Sequence, residues 1–383
     1  MAQIEEFLKV QAQKGLLRVL RPASLRNKGR IFFKGREYID FSSNDYLGLS
    51  NHPRLIEESI RALAKSGTSS SASRLLSGDS ELFHQLEEKI AKFKNKEAAL
   101  FFNSGYQANV GIISSLYGKG DCIFLDQLTH ASIIDGVILS GAKFFRFLHN
   151  DTGHLESMLQ KERAKFKQAL IVTEGIFSMD GDKAPLKELV GLKEKYNCKI
   201  FVDEAHATGI FGKRGSGVVE EEGLEGETDF IMGTFSKGLG SFGAYLASSR
   251  SVVEYLINTC RGFIYSTALP PAVAACNLAS IDLIEQEPFR RTTLLELAKN
   301  LRTGLKEKGF KVKGASQIIP LIIGDNAKTI EFAAGLQGKG YWAAPIRPPT
   351  VPRGEARIRL SLTYYHNKEI LTKLLNDIAS LAI

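Results

Sequence analysis

GTFSKGLGSFGAY, residues Gly233 to Tyr245, decides how the rest of the chain is read. It follows a short apolar run, Phe230 to Met232, that suits a buried strand, and it sets one lysine, Lys237, among small residues. A lysine meant only for solvent usually sits on a charged helix face. Here Ser236, Gly238, Gly240 and Ser241 leave space beside the amine, as a covalent partner requires. Desolvation would lower its pKa and free the lone pair for attack on a carbonyl. Most lysines in glycine-rich loops are simply exposed, so the assignment depends on what surrounds this loop.

Upstream, from Glu97, apolar runs alternate with helical patterns. They fall at Ala98–Phe102, Cys122–Leu125, Phe144–Phe147, Ala169–Val172, Lys199–Val202, Phe230–Met232 and Ala244–Leu246. Runs this short and continuous suit strands buried on both faces, which predicts an α/β fold with a mostly parallel central sheet and helices on both faces. Before this rhythm the chain offers an N-terminal helix with Ile4, Phe7 and Leu8 on one stripe. A hairpin over Arg30–Phe41 turning at Lys34-Gly35 and a helix opened by Pro53 come next. Past Pro270-Pro271 two long helices, about Ala272–Glu285 and Phe289–Lys308, lead into short strands near Phe310–Val312, Ile318–Ile323, Tyr341–Ile346 and Ala356–Leu360 and a last helix from Asn367. The expected division is an N-terminal helix and hairpin segment over 1–50, a large domain over 51–270 and a smaller α+β domain over 271–383.

With 383 residues, 44% of them hydrophobic, the chain can bury a large core, and no apolar run has the length of a membrane span. The first twenty residues carry Glu5 and Glu6 and lack a small-residue cleavage site, so a cytoplasmic protein without membrane association is expected. Four scattered cysteines, Cys122, Cys198, Cys260 and Cys276, form no C-x-x-C pair, so neither a zinc site nor a disulfide framework is expected. The formal charge of +8 is spread over helix faces and not interleaved with aromatics, which argues against nucleic acid as a partner.

In doubly wound sheets ligands collect beyond the carboxyl ends of the strands. Five such ends carry polar residues here. NSGYQAN places Gly105 and Tyr106 at a helix start, where N–H groups can hold a phosphate. DQLTHAS places His130 at another, where a histidine is most often a cap. EGIFSMDGD offers Ser178 and Asp180, VDEAHATG offers Asp203 and His206, and the lysine loop adds Thr234. Together they describe a site for a phosphorylated, aromatic, carbonyl-bearing cofactor. A carboxylate keeps a ring nitrogen protonated, hydroxyls and N–H groups bind phosphate, and an amine takes the carbonyl. Two short patterns mislead. DEAH is also a helicase signature, but the phosphate-binding GxxxxGK[ST] it requires is missing. GLGSFG matches the dinucleotide fingerprint yet runs into an apolar strand and not a helix.

The ordered set SNDYLGL, SGYQAN, LTHAS, TEGIFSMDGD, VDEAH, GTFSKGLG, IYSTALPP and IRPPTVPRGEARIRLSLT closely resembles the α-oxoamine synthases, over nearly the whole chain. These are pyridoxal 5'-phosphate enzymes of the aspartate-aminotransferase-like fold, fold type I. The resemblance implies that Lys237 carries the cofactor, that Asp203 pairs with its ring nitrogen and His206 with its ring hydroxyl, and that His130 stacks on the ring and meets substrate. Gly105, Tyr106, Ser178 and Thr234 match cofactor-contacting positions. Arg18, with Arg21 close in register, and Arg347 and Thr350 match substrate-contacting ones. The implied reaction condenses an amino acid with an acyl thioester and releases carbon dioxide. IRPPTVP leans toward alanine with a pimeloyl thioester, ahead of glycine with acetyl-CoA or succinyl-CoA and serine with a long acyl-CoA. Family members are homodimers with the site at the subunit interface, so Tyr265–Thr267 are expected to reach the neighbour's cofactor. No metal is implied. One departure stands out: the family often has a glycine-rich segment before Ser-Arg, where this chain has SSSASRLLSG, Ser69 to Gly78.

Overall fold

The computed structural model describes residues 2–381. The chain divides into two compact units, one comprising Asp45–Ser178 and Lys183–Thr292, the other Met1–Asn44, Met179–Asp182 and Thr293–Ile383. The expected boundary at 270 therefore moves to 292. The helix Pro271–Gln286 packs on the helices Pro53–Ser66 and Glu81–Phe93 of the large unit, and Asp282 ties it down by ion pairs with Arg54 at 3.0 Å and with Lys89. The N-terminal boundary likewise shifts, from 50 to 44.

The large unit is built on seven strands: β1 (Ala98–Phe102), β2 (Cys122–Asp126), β3 (Lys143–Phe147), β4 (Ala169–Glu174), β5 (Lys199–Asp203), β6 (Phe230–Thr234) and β7 (Ala244–Ser248). Their order is β1-β7-β6-β5-β4-β2-β3, with every pairing parallel except those of β7, which runs antiparallel to both neighbours. The sequence pattern locates all seven strands but not the reversed direction of β7. Every residue of β2, β4, β6 and β7 is buried, the signature of strands covered on both faces. Leu100, Phe102, Ile123, Leu170, Val172 and Phe201 pack into one core with Ile112, Ile113, Ile133, Val137 and Leu256 from the flanking helices. Each such side chain contributes roughly 1.5–3 kcal/mol by leaving water.

Local chemistry sets the helix starts. The helix Gly105–Leu116 is capped by Ser104, whose hydroxyl accepts the Gln107 N–H at 3.2 Å. The helix Ala131–Ser140 is capped by His130, whose Nδ1 accepts the Ser132 N–H at 3.2 Å, and it ends at Gly141 in the left-handed region. Burial pushes the Cys122 thiol up to about 12 and the Cys198 thiol up to about 11, so both stay protonated and unreactive.

In the small unit the hairpin forms as expected. Arg30–Phe33 pairs with Arg36–Asp40, and Lys34 and Gly35 both have positive φ, as a tight two-residue hairpin turn requires. Tyr341–Ile346 is not one strand. Tyr341–Trp342 joins the hairpin sheet, and Pro345–Ile346 joins a second sheet with Ile318–Gly324 and Ala356–Ser361. Phe310–Val312 forms no strand but a lone bridge, Val312 to Leu321, because the chain beyond it turns so that the Ala315 N–H reaches the Gly181 carbonyl. Buried Arg357 holds this unit together. Its guanidinium bonds Asp180 at 2.9 Å and Glu355 at 2.7 Å, and Lys313 bridges the same two carboxylates. Among the described residues no helix is long and apolar enough to cross a membrane.

Candidate active site

Because β1 through β6 all run one way, their carboxyl ends lie along one edge of the sheet, and the site is assembled there. The β6 end passes into the lysine loop. That loop is closed by hydrogen bonds from Phe235 N–H to the Gly243 carbonyl and from Ser241 N–H to the Phe235 carbonyl, both 2.9 Å. Gly240 in this loop serves close packing. A Cβ on Gly240, whose φ is +66°, would lie 2.6 Å from the backbone of Leu49 and Ser50.

Lys237 Nζ lies 2.8 Å from His206 Nε2, and His206 Nδ1 lies 2.7 Å from the hydroxyl of buried Tyr46. On the neighbouring strand end, Asp203 is buried and its carboxylate is oriented by two donors. The Ala205 N–H reaches Oδ1 at 2.8 Å and the Asn109 amide reaches Oδ2 at 2.9 Å. The same amide bonds Ser132 Oγ at 3.0 Å, and Ser132 Oγ lies 2.7 Å from His130 Nδ1. One chain of hydrogen bonds thus joins Asp203 to His130. Since Nδ1 of His130 accepts the Ser132 N–H, the neutral ring carries its proton on Nε2. His130 is open to solvent over part of its surface. Burial of the ring nevertheless pushes its pKa below the usual value; the Asp203 charge opposes this and the Lys237 charge adds to it. His130 is therefore a neutral imidazole near pH 7.

Gly105 and Thr234 form a second feature. A Cβ on Gly105 would sit 2.8 Å from Thr234 Cγ2, so only glycine lets the helix start approach the β6 end this closely. Thr234 Oγ1 is buried, with no hydrogen-bond partner among the described residues. A buried hydroxyl left without a partner costs about 1–3 kcal/mol. Beside a helix N-terminus, an anionic oxygen would satisfy it. The residues present therefore fit a phosphorylated, ring-bearing carbonyl compound: a phosphate cradle, a carboxylate with fixed orientation, a neutral imidazole and an amine. Ser178 stands in the short segment after β4, which a bridge between Ile176 and Lys183 fixes. Tyr106 is half exposed, edge-on to His130 with centroids 6.2 Å apart, and its hydroxyl bonds Asp135.

Arg18, Arg347 and Thr350 meet within the small unit. Arg18 donates to Thr350 Oγ1 at 3.3 Å, Arg347 bonds the Gly15 carbonyl, and all three line a cavity of about 540 Å³. Arg21 lines it as well, but its guanidinium lies over the Trp342 ring, 5.8 Å from the centroid. Burial, and then the charge of Arg18, push the Arg347 pKa down from its usual value. Tyr265 is exposed, and the Thr267 carbonyl accepts the Asn103 amide at 2.9 Å. Ser71 adopts φ +57°, a conformation that glycine would take without strain. Three residues of the site escaped the sequence reading: Tyr46, Asn109 and Glu174. The first two lie inside SNDYLGL and SGYQAN, and Glu174 directly precedes Gly175 at the end of β4. A polar residue closing a buried strand was the available signal for Glu174.

A fold type I pyridoxal-phosphate enzyme is the class that this sheet, with its lysine loop and strand-end carboxylate, defines. The chain belongs to the class I and II aminotransferase family, whose model matches residues 36–378. It is 48% identical over 373 residues to an 8-amino-7-oxononanoate synthase from Geobacter metallireducens, covering 96% of this chain and 95% of that one. A serine palmitoyltransferase variant from S. paucimobilis, solved with a bound PLP–myriocin aldimine, superposes with a TM-score of 0.92. It is 31% identical, covering 99% of this chain and 96% of that one. The 8-amino-7-oxononanoate synthase from Francisella tularensis superposes with a TM-score of 0.78 at 29% identity, covering 90% and 97%. The cofactor is pyridoxal 5'-phosphate.

Proposed function

We infer that this protein is an α-oxoamine synthase that joins L-alanine to a pimeloyl thioester, releasing the thiol and carbon dioxide and forming 8-amino-7-oxononanoate for biotin synthesis. The observation that carries the reading is the strand-end cluster in which Lys237 Nζ meets His206 beside the oriented carboxylate of Asp203. The 48% identity to the Geobacter metallireducens synthase supports the choice of substrates. The fold is shared with serine palmitoyltransferases and does not discriminate among acyl donors.

When bound, pyridoxal phosphate supplies a carbonyl for the amino group and a ring that withdraws electrons from the α-carbon. Lys237 Nζ would hold the cofactor through its carbonyl carbon and, as a free amine, would accept the α-proton. Asp203 keeps the proton on the ring nitrogen, and the Asn109 and Ala205 donors fix the direction in which its carboxylate points. His206 Nε2, near Lys237, orients the ring hydroxyl. His130, neutral and protonated on Nε2, would lie against the cofactor ring and present an N–H to the incoming acyl oxygen. Gly105, Ser178 and Thr234 hold the phosphate, and Tyr106 borders the ring. Arg347 binds the amino-acid carboxylate, with Arg18 and Thr350 on the acyl substrate.

A second copy of the chain completes the site. Leu75, Leu76, Ile264 and Tyr265 line one surface groove, and Leu76 and Tyr265 are 82% and 75% exposed, an apolar surface suited to a partner subunit. Sedimentation of the purified protein tests this and should give a dimer. The reaction is tested by supplying pyridoxal phosphate and pimeloyl-CoA, then alanine, glycine and serine in turn, and following CoA and carbon dioxide release. Turnover confined to alanine is expected. Faster turnover of glycine with acetyl-CoA, or of serine with palmitoyl-CoA, would reassign the substrates while leaving the class intact.

A further inference from the structure

We propose that Glu174 is held as a neutral carboxylic acid that positions His130 and leaves Asp203 the single anion of the strand-end pair. Glu174 ends β4 and Asp203 ends β5, and the two are register partners in the parallel ladder. Partners of this kind stand about 4.8 Å apart across the strands, with their side chains on the same face of the sheet. Both residues are almost fully buried, at 3% and 5% exposure. Two ionised carboxylates so placed cannot share one dry site without a cation between them.

The donors decide which one keeps a proton. Three neighbouring strand ends, β2, β4 and β5, bring up Asp126, Glu174 and Asp203. Asp126 receives the N–H groups of Leu128 and Asn150, both at 2.8 Å, and His149 Nδ1 at 3.0 Å. Asp203 receives two donors, Asn109 and Ala205. Glu174 receives one, the His130 N–H at 2.7 Å. The acid with the fewest donors is the one whose anion is least stabilised. The charged and titratable groups that face it are Asp203 on β5, Asp126 on β2, His130 at its helix cap and Lys237 on the lysine loop. Lys237 is the only full cation in that group, and it is bonded to His206. Burial, followed by the Asp203 charge, pushes the Glu174 carboxyl well above the usual carboxylate range, against the weaker opposing effect of Lys237.

The chemical consequence deepens the proposed function and rests on it. A ring nitrogen above Asp203 meets one negative charge of fixed direction, while Glu174 fixes the peptide of the residue that covers the ring. Glu174 is thus a positioning residue, distinct from the groups that touch the cofactor.

Infrared difference spectroscopy tests the protonation directly, on the cofactor-free and the cofactor-loaded full-length protein. A carboxylic-acid C=O band that persists from pH 5 to pH 8 is expected in both forms and should vanish in Glu174→Gln. In the loaded protein, the pH midpoint of the cofactor's visible absorption should be the same in wild type and Glu174→Gln, because one neutral group replaces another. Loss of a real anion would instead lower that midpoint. Asp203→Asn gives an independent arm that does not depend on how Glu174→Gln folds: with the neighbouring charge gone, the acid band should disappear at lower pH than in wild type. Absence of the band, a lowered midpoint in Glu174→Gln, or a band unaffected by Asp203→Asn would overturn the proposal. If the protein bound no pyridoxal phosphate, the proposed function would fail, yet the infrared arms on the cofactor-free protein would still decide the state of Glu174.

Discussion

Lys237 Nζ stands 2.8 Å from His206 Nε2, and the far nitrogen of the same imidazole meets the hydroxyl of Tyr46. One imidazole thus holds the amine on one side and is itself held by Tyr46 on the other. Lys237→Ala should remove every trace of covalent cofactor. Borohydride reduction followed by peptide mapping is expected to place a pyridoxyl group on Lys237 in the wild type and nowhere in the variant, with synthase activity abolished. A labelled peptide elsewhere in the chain would refute this assignment.

Asp203 is the one carboxylate assigned to the electron sink, and Asn109 is one of its two donors. Asp203→Asn should lower kcat by about 100-fold or more, in line with the loss of a single preorganised electrostatic group. Asn109→Ala should cost less, since the Ala205 N–H still holds the carboxylate. Equal losses for the two substitutions would mean that Asn109 acts on more than the direction of Asp203.

His366 links the small unit to pH. Its ring is fully buried against Phe41, with centroids 4.1 Å apart, and burial pushes its pKa down to about 3. In the unfolded chain a histidine titrates near 6.5. As pH falls from 6.5 toward 3 the unfolded state takes up a proton that the folded state does not. Folding stability therefore declines over that window, by up to about 1.4 kcal/mol per pH unit. His366→Phe should flatten this part of the stability profile. Urea midpoints of both proteins at pH 7 and pH 5 provide the check, and an unchanged pH dependence would count against it.

Lys94 and Glu204 form a dry ion pair at 2.6 Å, with exposures of 1% and 0%. Burial opposes the charge on Lys94, but Glu204 and Tyr245 together outweigh it and the lysine pKa is raised. The Glu204 Oε1 also accepts the Val219 N–H at 2.8 Å. Lys94→Met should cost about 3–5 kcal/mol by stranding a buried carboxylate. Adding Glu204→Gln removes that charge while keeping an acceptor for Val219, and should restore at least about 1 kcal/mol. A double variant less stable than the single one would show that the pair matters beyond its charge.

Continuous apolar runs were enough to place the seven strands, because a strand covered on both faces has little room for polar residues. Direction was not legible in the same way: nothing in Ala244–Leu246 distinguishes a strand running with its neighbours from one running against them. The small unit was harder for a related reason. Its strands are as short as Tyr341–Trp342, and two alanines, Ala343 and Ala344, carry the chain from one sheet to another without any turn signal. Within the site, Lys237, Asp203 and His206 were legible because charged or titratable groups at strand ends need a reason to be there. Glu174 was not singled out, because its significance comes from the residue beside it on another strand, 29 positions further along the chain.

The antiparallel course of β7 has a bearing on how this enzyme can vary. The segment carrying Lys237 does not lead away into a helix but doubles back between two fixed ladders, where Ala244 pairs with both Phe102 and Thr234. Side chains on a strand alternate between faces, so a one-residue slip of β7 within these ladders would turn Tyr245 away from the buried amine of Lys94, which lies 5.6 Å from its ring centroid. The register of β7 is therefore locked by the interior on its far side. Lys237 is thereby carried on a loop whose exit is pinned to two ladders at once.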